Sequence, residues 1–128
     1  MTIRIVRLGS ARVRSEGVRI GTVRLPPRGV PKRDYSSRNF YDVWLPALAP
    51  SAVTLKLAQK AETAREWASF MRKYRAEMTK PESKALLDVL AALSHKSNFS
   101  VGCYCADESH CHRSVLRALL LERGARVV

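Results

Sequence analysis

The stretch "FSVGCYCADESHCHRSVL", residues 99–116, decides the fold. Its first seven residues are continuously apolar and bounded by polar ones, the pattern of a short central strand buried on both faces. From about Cys111 the period changes. Val115, Leu116, Leu119 and Leu120 then share one face of a helix that runs to about Arg123 and that Gly124 ends. Residues 106–110 connect the two. Strand, short loop and helix in succession belong to an α/β layered fold, which binds ligands beyond the carboxyl ends of its strands, where the next helix presents free N–H groups.

The remaining chain extends this pattern. "TIRIVRL", residues 2–8, alternates Ile3, Ile5 and Leu8 with Arg4 and Arg7, as a half-buried strand does. "GVRIGTVRL", residues 17–25, repeats the alternation through Val18, Ile20 and Val23, and Gly21 marks a close approach or a bulge. Residues 26–39 hold three prolines and one glycine, so they form a long loop of the kind that usually carries function or moves. "FYDVWLPALAP" predicts Tyr41, Val43, Trp44 and Leu45 docked on the core, with Ser51 opening a helix. Trp67, Phe70, Met71, Tyr74 and Met78 recur at helical spacing opposite Arg65, Arg72, Lys73 and Arg75, an amphipathic helix whose aromatic stripe is core. Thr79 and Glu82 read as a capping box for the next helix, with Pro81 in its first turn. That helix should bury Leu86, Val89 or Leu90, and Leu93, and place His95 at its exposed end. "ARVV" returns as a last short strand. The expectation is one small α/β domain over residues 1–128, with a mixed or mostly parallel sheet flanked by helices.

A chain of 128 residues is long enough for one real core. No run approaches the eighteen or so apolar residues of a membrane span, and arginines interrupt the N-terminus before a signal-peptide core can form, so a cytoplasmic protein without membrane contact is expected. Three cysteines in one segment are not a disulfide framework. The net charge of +12 is uneven, with ten Lys or Arg and two acids in residues 1–38. Such a field attracts phosphates on nucleic acid, nucleotides or small anions, although a solvated basic face with no specific partner gives the same composition.

The sulfur-rich segment admits several chemistries. A thiol at the start of the last helix feels its dipole and Arg113, both of which favour thiolate; Cys111 has the better placement and Cys105 the next. Asp107 and Glu108 lie in the same loop, for proton transfer, for orienting Arg113, or simply for capping. Cys103, Cys105, His110, Cys111 and His112 are all metal-ligand types, but every one lies in a single segment with no second knuckle, so no metal site and no cofactor are expected. A Cys103–Cys105 disulfide is disfavoured, because strand residues two apart sit about 6.6 Å apart at Cα, whereas Cys105–Cys111 can close across the loop as a redox switch. Cys103 also reads simply as a small buried hydrophobe.

Taken together, "RIGTVRLPPRGVPK", "YDVWLPALAPS" and "CYCADESHCHRSVL" resemble the family of domain of unknown function 488, in particular its short YeaO-like members. The three motifs lie in the same order and cover nearly the whole chain. The resemblance implies a small cytosolic α/β protein, usually bacterial or archaeal, with no established reaction. Val23 and Pro26 stand where the commoner pattern has an aspartate and a tryptophan, so acid chemistry at the first place is unavailable here. Arg24, Arg28 and Gly29 of the first motif remain, as do Cys105, Glu108, Cys111, His112 and Arg113 of the last.

These readings predict a phosphate- or nucleotide-sized anion pocket between Cys105 and Arg113. Arg113, Arg28, Arg24 and His112 would hold the anion, Cys111 or Cys105 would supply a thiol, and Glu108 would handle the proton, in an enzyme acting on a phosphorylated or nucleotide-like small molecule. Two alternatives stay open. One is a noncatalytic nucleic-acid-binding module using the basic N-terminal third, with Tyr35, Phe40 or Tyr41 stacking on bases. The other is a metal-binding or redox-sensing protein. Oligomeric state is not legible.

Overall fold

A computed structural model describes all residues, 1–128. Four strands form one sheet in the order β1-β4-β2-β3, where β1 is Ile3–Arg7, β2 is Val18–Gly21, β3 is Val43–Trp44 and β4 is Phe99–Cys103. Every pairing is parallel, with Ile5 opposite Val101 and Ile20 opposite both Val101 and Val43. All five residues of β4 are buried, as its apolar run requires of a strand with neighbours on either side. The expected last strand is reduced to a single parallel bridge between Ile3 and Val127.

The helices are α1 (Ala52–Lys60), α2 (Ala64–Glu77), α3 (Pro81–Leu93) and α4 (His112–Glu122). Ile3, Ile20, Phe99 and Val101 project from one side of the sheet into a core completed by Phe70 and Tyr74 of α2, Leu87 and Leu90 of α3, and Val115, Leu116, Leu119 and Leu120 of α4. Successive strand residues point to opposite sides, so Arg19 and Ser100 emerge on the other side of the sheet. There Arg19, fully buried, meets Glu16 through two bonds (Nε to Oε2 2.7 Å, Nη2 to Oε1 2.9 Å) and donates to the carbonyls of Ser10 and Asn39. Ser100 Oγ donates to the same carboxylate at 2.6 Å.

Local chemistry sets the helix starts. Ser51 and Thr63 cap α1 and α2 by accepting from the amides of Thr54 and Glu66. The capping box expected at Thr79 does not form. Its hydroxyl donates back to Ala76 O at 2.6 Å, closing the end of α2, and Lys80 precedes α3 without a side-chain cap. The buried face of α3 is also rotated from the expected one: Ser83, Leu87, Leu90 and Ala91 face inward, whereas Val89 and Leu93 are exposed. Ser83 Oγ donates to Ala47 O at 2.7 Å and pins that face. Tyr41 docks as expected, with its ring against Gly21, where a Cβ would lie 2.4 Å from it. Val43 and Trp44 instead form the exposed sheet edge. No helix is long and apolar enough to cross a membrane.

Candidate functional site

The sulfur-rich segment lies where β4 and β2 end. Cys103 is the last residue of β4 and is buried. The chain then turns out through Cys105, which is exposed and already beyond the strand, contrary to the expectation that it extends it. A single turn follows at Glu108–His110, capped by Asp107, whose carboxylate accepts from the Ser109 amide at 2.9 Å. Cys111, in extended conformation, is the residue before α4, so the chain comes back to the sheet with its sulfur against that of Cys103. The two sulfurs are 2.7 Å apart.

His112 opens α4 and is buried with them. Its Nε2 lies 2.8 Å from the carbonyl of Thr22, so that nitrogen must donate, and Nδ1 is left as a lone pair 3.7 Å from the Cys111 sulfur. Burial pushes the His112 pKa down to about 4, outweighing the opposite influence of the Thr22 carbonyl. The ring is therefore neutral near pH 7. Thr22 is itself tied to β4, its hydroxyl donating to Gly102 O at 3.0 Å.

The three thiols are unequal. The neighbouring Cys103 and Cys111 thiols, and after them the Arg113 charge, lower the Cys105 pKa against the effect of burial. Cys103 is driven up by its Cys105 and Cys111 neighbours and by burial. The Cys103 thiol lowers the Cys111 pKa, but the Cys105 neighbour and burial outweigh it and leave it raised as well.

A cleft of about 490 Å³ opens over this cluster. Cys103, Cys105 and His112 line it from one side, Arg24 and Arg28 from the proline-rich stretch, and Phe40, Pro50 and Leu55 supply apolar wall. Arg24 is steadied by the carbonyls of Pro50 (Nε, 3.1 Å) and Ala49 (Nη2, 3.4 Å). Arg28 is exposed on the rim.

Of the residues singled out from sequence, Cys105, His112, Arg24 and Arg28 meet on this cleft. Three do not. Cys111 is sealed beneath it against Cys103, so the better-placed thiol by sequence is the less accessible one. Glu108 faces Arg117, which grips both its oxygens at 2.6 and 3.0 Å and lowers its pKa, and it lies outside the cleft lining. Arg113 is buried and donates through Nη2 to the Cys105 carbonyl at 2.6 Å, which positions the Cys105 peptide instead of facing the cleft; its Nε has no partner. The aromatics considered for base stacking pack on one another: Tyr35 lies edge-on to Tyr41, and Phe40 edge-on to Tyr104. Thr22 is the participant that sequence reasoning missed: it acts through its carbonyl, which no side-chain pattern reveals.

Fold and site together define a parallel α/β protein with a thiol cluster under a cleft at the carboxyl ends of its strands. The chain belongs to the family of domain of unknown function 488: the model described as the active DUF488-N3 subclade matches residues 3–124. No curated protein and no solved structure matches it significantly.

Proposed function

We propose that this protein is a thiol-dependent enzyme acting on a small anionic substrate, phosphorylated or nucleotide-like, with Cys105 as the nucleophile. The observation that carries the reading is the placement of the one exposed thiol on a cleft that also holds two guanidinium groups. Arg24 and Arg28 would each contribute about 1.5–3 kcal/mol to an anion, enough together for micromolar binding after association costs. The apolar wall of Phe40, Pro50 and Leu55 suits a flat ring beside the charge, which favours a nucleotide-like ligand over a bare phosphate. Chemically, the Cys105 sulfur would form a bond to an electrophilic centre of the substrate while the displaced group leaves with the bonding pair and takes a proton from water. A second water then releases the product and restores the thiol. Free thiols suit a reducing compartment, so we place the protein in the cytoplasm.

The small-molecule reading is favoured over a nucleic-acid module because Tyr35 and Tyr41 are committed to one another and Phe40 lines the cleft. The test is protection of Cys105 from iodoacetamide in reduced, metal-free protein. Adenosine monophosphate should slow its alkylation several-fold at constant ionic strength, and Arg28→Ala should remove most of that protection. Equal rates with and without the nucleotide and with inorganic phosphate would contradict the pocket. Protection by oligonucleotides alone, collapsing steeply with salt, would favour the nucleic-acid alternative.

A further inference from the structure

We propose that Cys103, Cys111 and His112, closed by Cys105 as the fourth ligand, form a tetrahedral site for a zinc ion. The two buried sulfurs and a His112 ring nitrogen lie within 4.8 Å of one another. Around a tetrahedral zinc, with Zn–S of about 2.3 Å and Zn–N of about 2.0 Å, ligand atoms stand roughly 3.5–3.8 Å apart. The Cys111 sulfur and His112 Nδ1 already have this spacing at 3.7 Å. Cys103 and Cys111, at 2.7 Å, need to part by about 1 Å, within the reach of a small χ1 adjustment. Cys105 stands outside this preformed set but lines the same cleft as Cys103 and His112, so its sulfur is the one a side-chain rotation brings in to supply the last corner.

The surroundings fit a metal centre. Metal-bound histidines usually fix their tautomer by donating the other N–H to a carbonyl, and His112 Nε2 does so to Thr22. Three thiolates, a neutral imidazole and a divalent ion carry one net negative charge, which the Arg113 guanidinium and the positive end of α4 offset. Sulfur and imidazole select zinc over magnesium or calcium. Three of the four ligands line the cleft, which gives the ion an entry path, and binding releases the thiol protons to water. Ligands confined to one segment argue against a metal only if that segment stays extended. Here Cys103 comes from a strand end, Cys105 from the loop, and Cys111 with His112 from a helix start folded back onto the strand.

The site deepens the reading of Cys105 as nucleophile, because a bound ion masks that thiol, yet it requires only the four ligands. The experiment titrates reduced, metal-free, full-length protein with Co²⁺, then with Zn²⁺ against a chromophoric chelator. One equivalent of Co²⁺ should give thiolate-to-cobalt charge transfer and the intense visible bands of four-coordinate geometry, both abolished by Zn²⁺. Cys103→Ser and His112→Gln should each weaken Zn²⁺ binding at least about tenfold, and Cys105→Ser, which leaves the three preformed ligands in place, should weaken it less while reducing the charge-transfer intensity. Because the buried variants risk misfolding, the wild type provides a second readout: one equivalent of Zn²⁺ should slow iodoacetamide at Cys105. Binding below about a tenth of an equivalent, a weak six-coordinate Co²⁺ spectrum without sulfur charge transfer, or unchanged alkylation with Zn²⁺ would overturn the site. Failure of the nucleophile reading would show instead as a slow Cys105 in the metal-free protein.

Discussion

Two buried polar clusters flank β4, and they are built on opposite principles. On one side of the sheet Glu16, Arg19 and Ser100 join unlike charges, and Arg19 finds acceptors in Glu16, Ser10 and Asn39. Burial alone would raise the Glu16 pKa, but its bonds to Arg19 and Ser100 and the Arg19 charge outweigh that and lower it. At the strand's carboxyl end, Cys103, Cys111 and His112 bring together soft, neutral groups that satisfy one another poorly, beside an Arg113 Nε with no partner. The first cluster is complete and holds the fold. The second asks for something external, and it is the one that opens onto a cleft.

If the contrast is right, the two respond very differently to substitution. The largest effect is expected from Arg19→Met, which strands the Glu16 carboxylate in the interior and should cost about 3–5 kcal/mol in denaturant-measured stability. A loss under about 1 kcal/mol would mean that the pair is wetter than the geometry implies. Cys103→Ala, equally buried but leaving no charge behind, should cost only about 1 kcal/mol.

Acid sharpens the comparison further. Asp42, which accepts from Arg12, Ser36 and the Arg19 amide, has a pKa held down to about 2 from the ordinary 3.8 despite burial. It and Glu16 are carboxylates with depressed folded-state values, so the stability they contribute is complete above their unfolded values near 4 and lost as pH falls toward about 2. Equilibrium unfolding followed from pH 6 to pH 2 should show that loss, and Asp42→Asn should flatten it. The smallest effect is expected at the cleft rim: Arg28→Ala should shift stability by no more than about 0.5 kcal/mol, since this side chain is exposed.

Periodicity made much of the architecture legible. The apolar run at Phe99 and the leucine face of α4 give the central strand and its following helix, and Ser51 marks a helix start by the chemistry of its hydroxyl. What escaped was decided by tertiary polar contacts. The inward face of α3 includes Leu90, one of the two alternatives the apolar pattern offers, but also Ser83, whose bond to Ala47 O turns the exposed Leu93 outward. The hydroxyl of Thr79 had a nearer carbonyl than the helix it was expected to cap. In the site, Cys105, His112, Arg24 and Arg28 share one cleft, but exposure cannot be read from spacing, which is why the sequence favours Cys111 over Cys105. Glu108 was assigned to chemistry because Arg117, nine residues on, was invisible as its partner until the helix brought it round.

The most direct test of the account is the alkylation rate of each cysteine in reduced, metal-free wild-type protein at pH 7, measured by peptide mapping. Cys105 should react at least about tenfold faster than Cys103 and Cys111, as the one exposed thiol and the one whose thiolate its neighbours favour. A Cys111 that reacts as fast as Cys105, or faster, would contradict it.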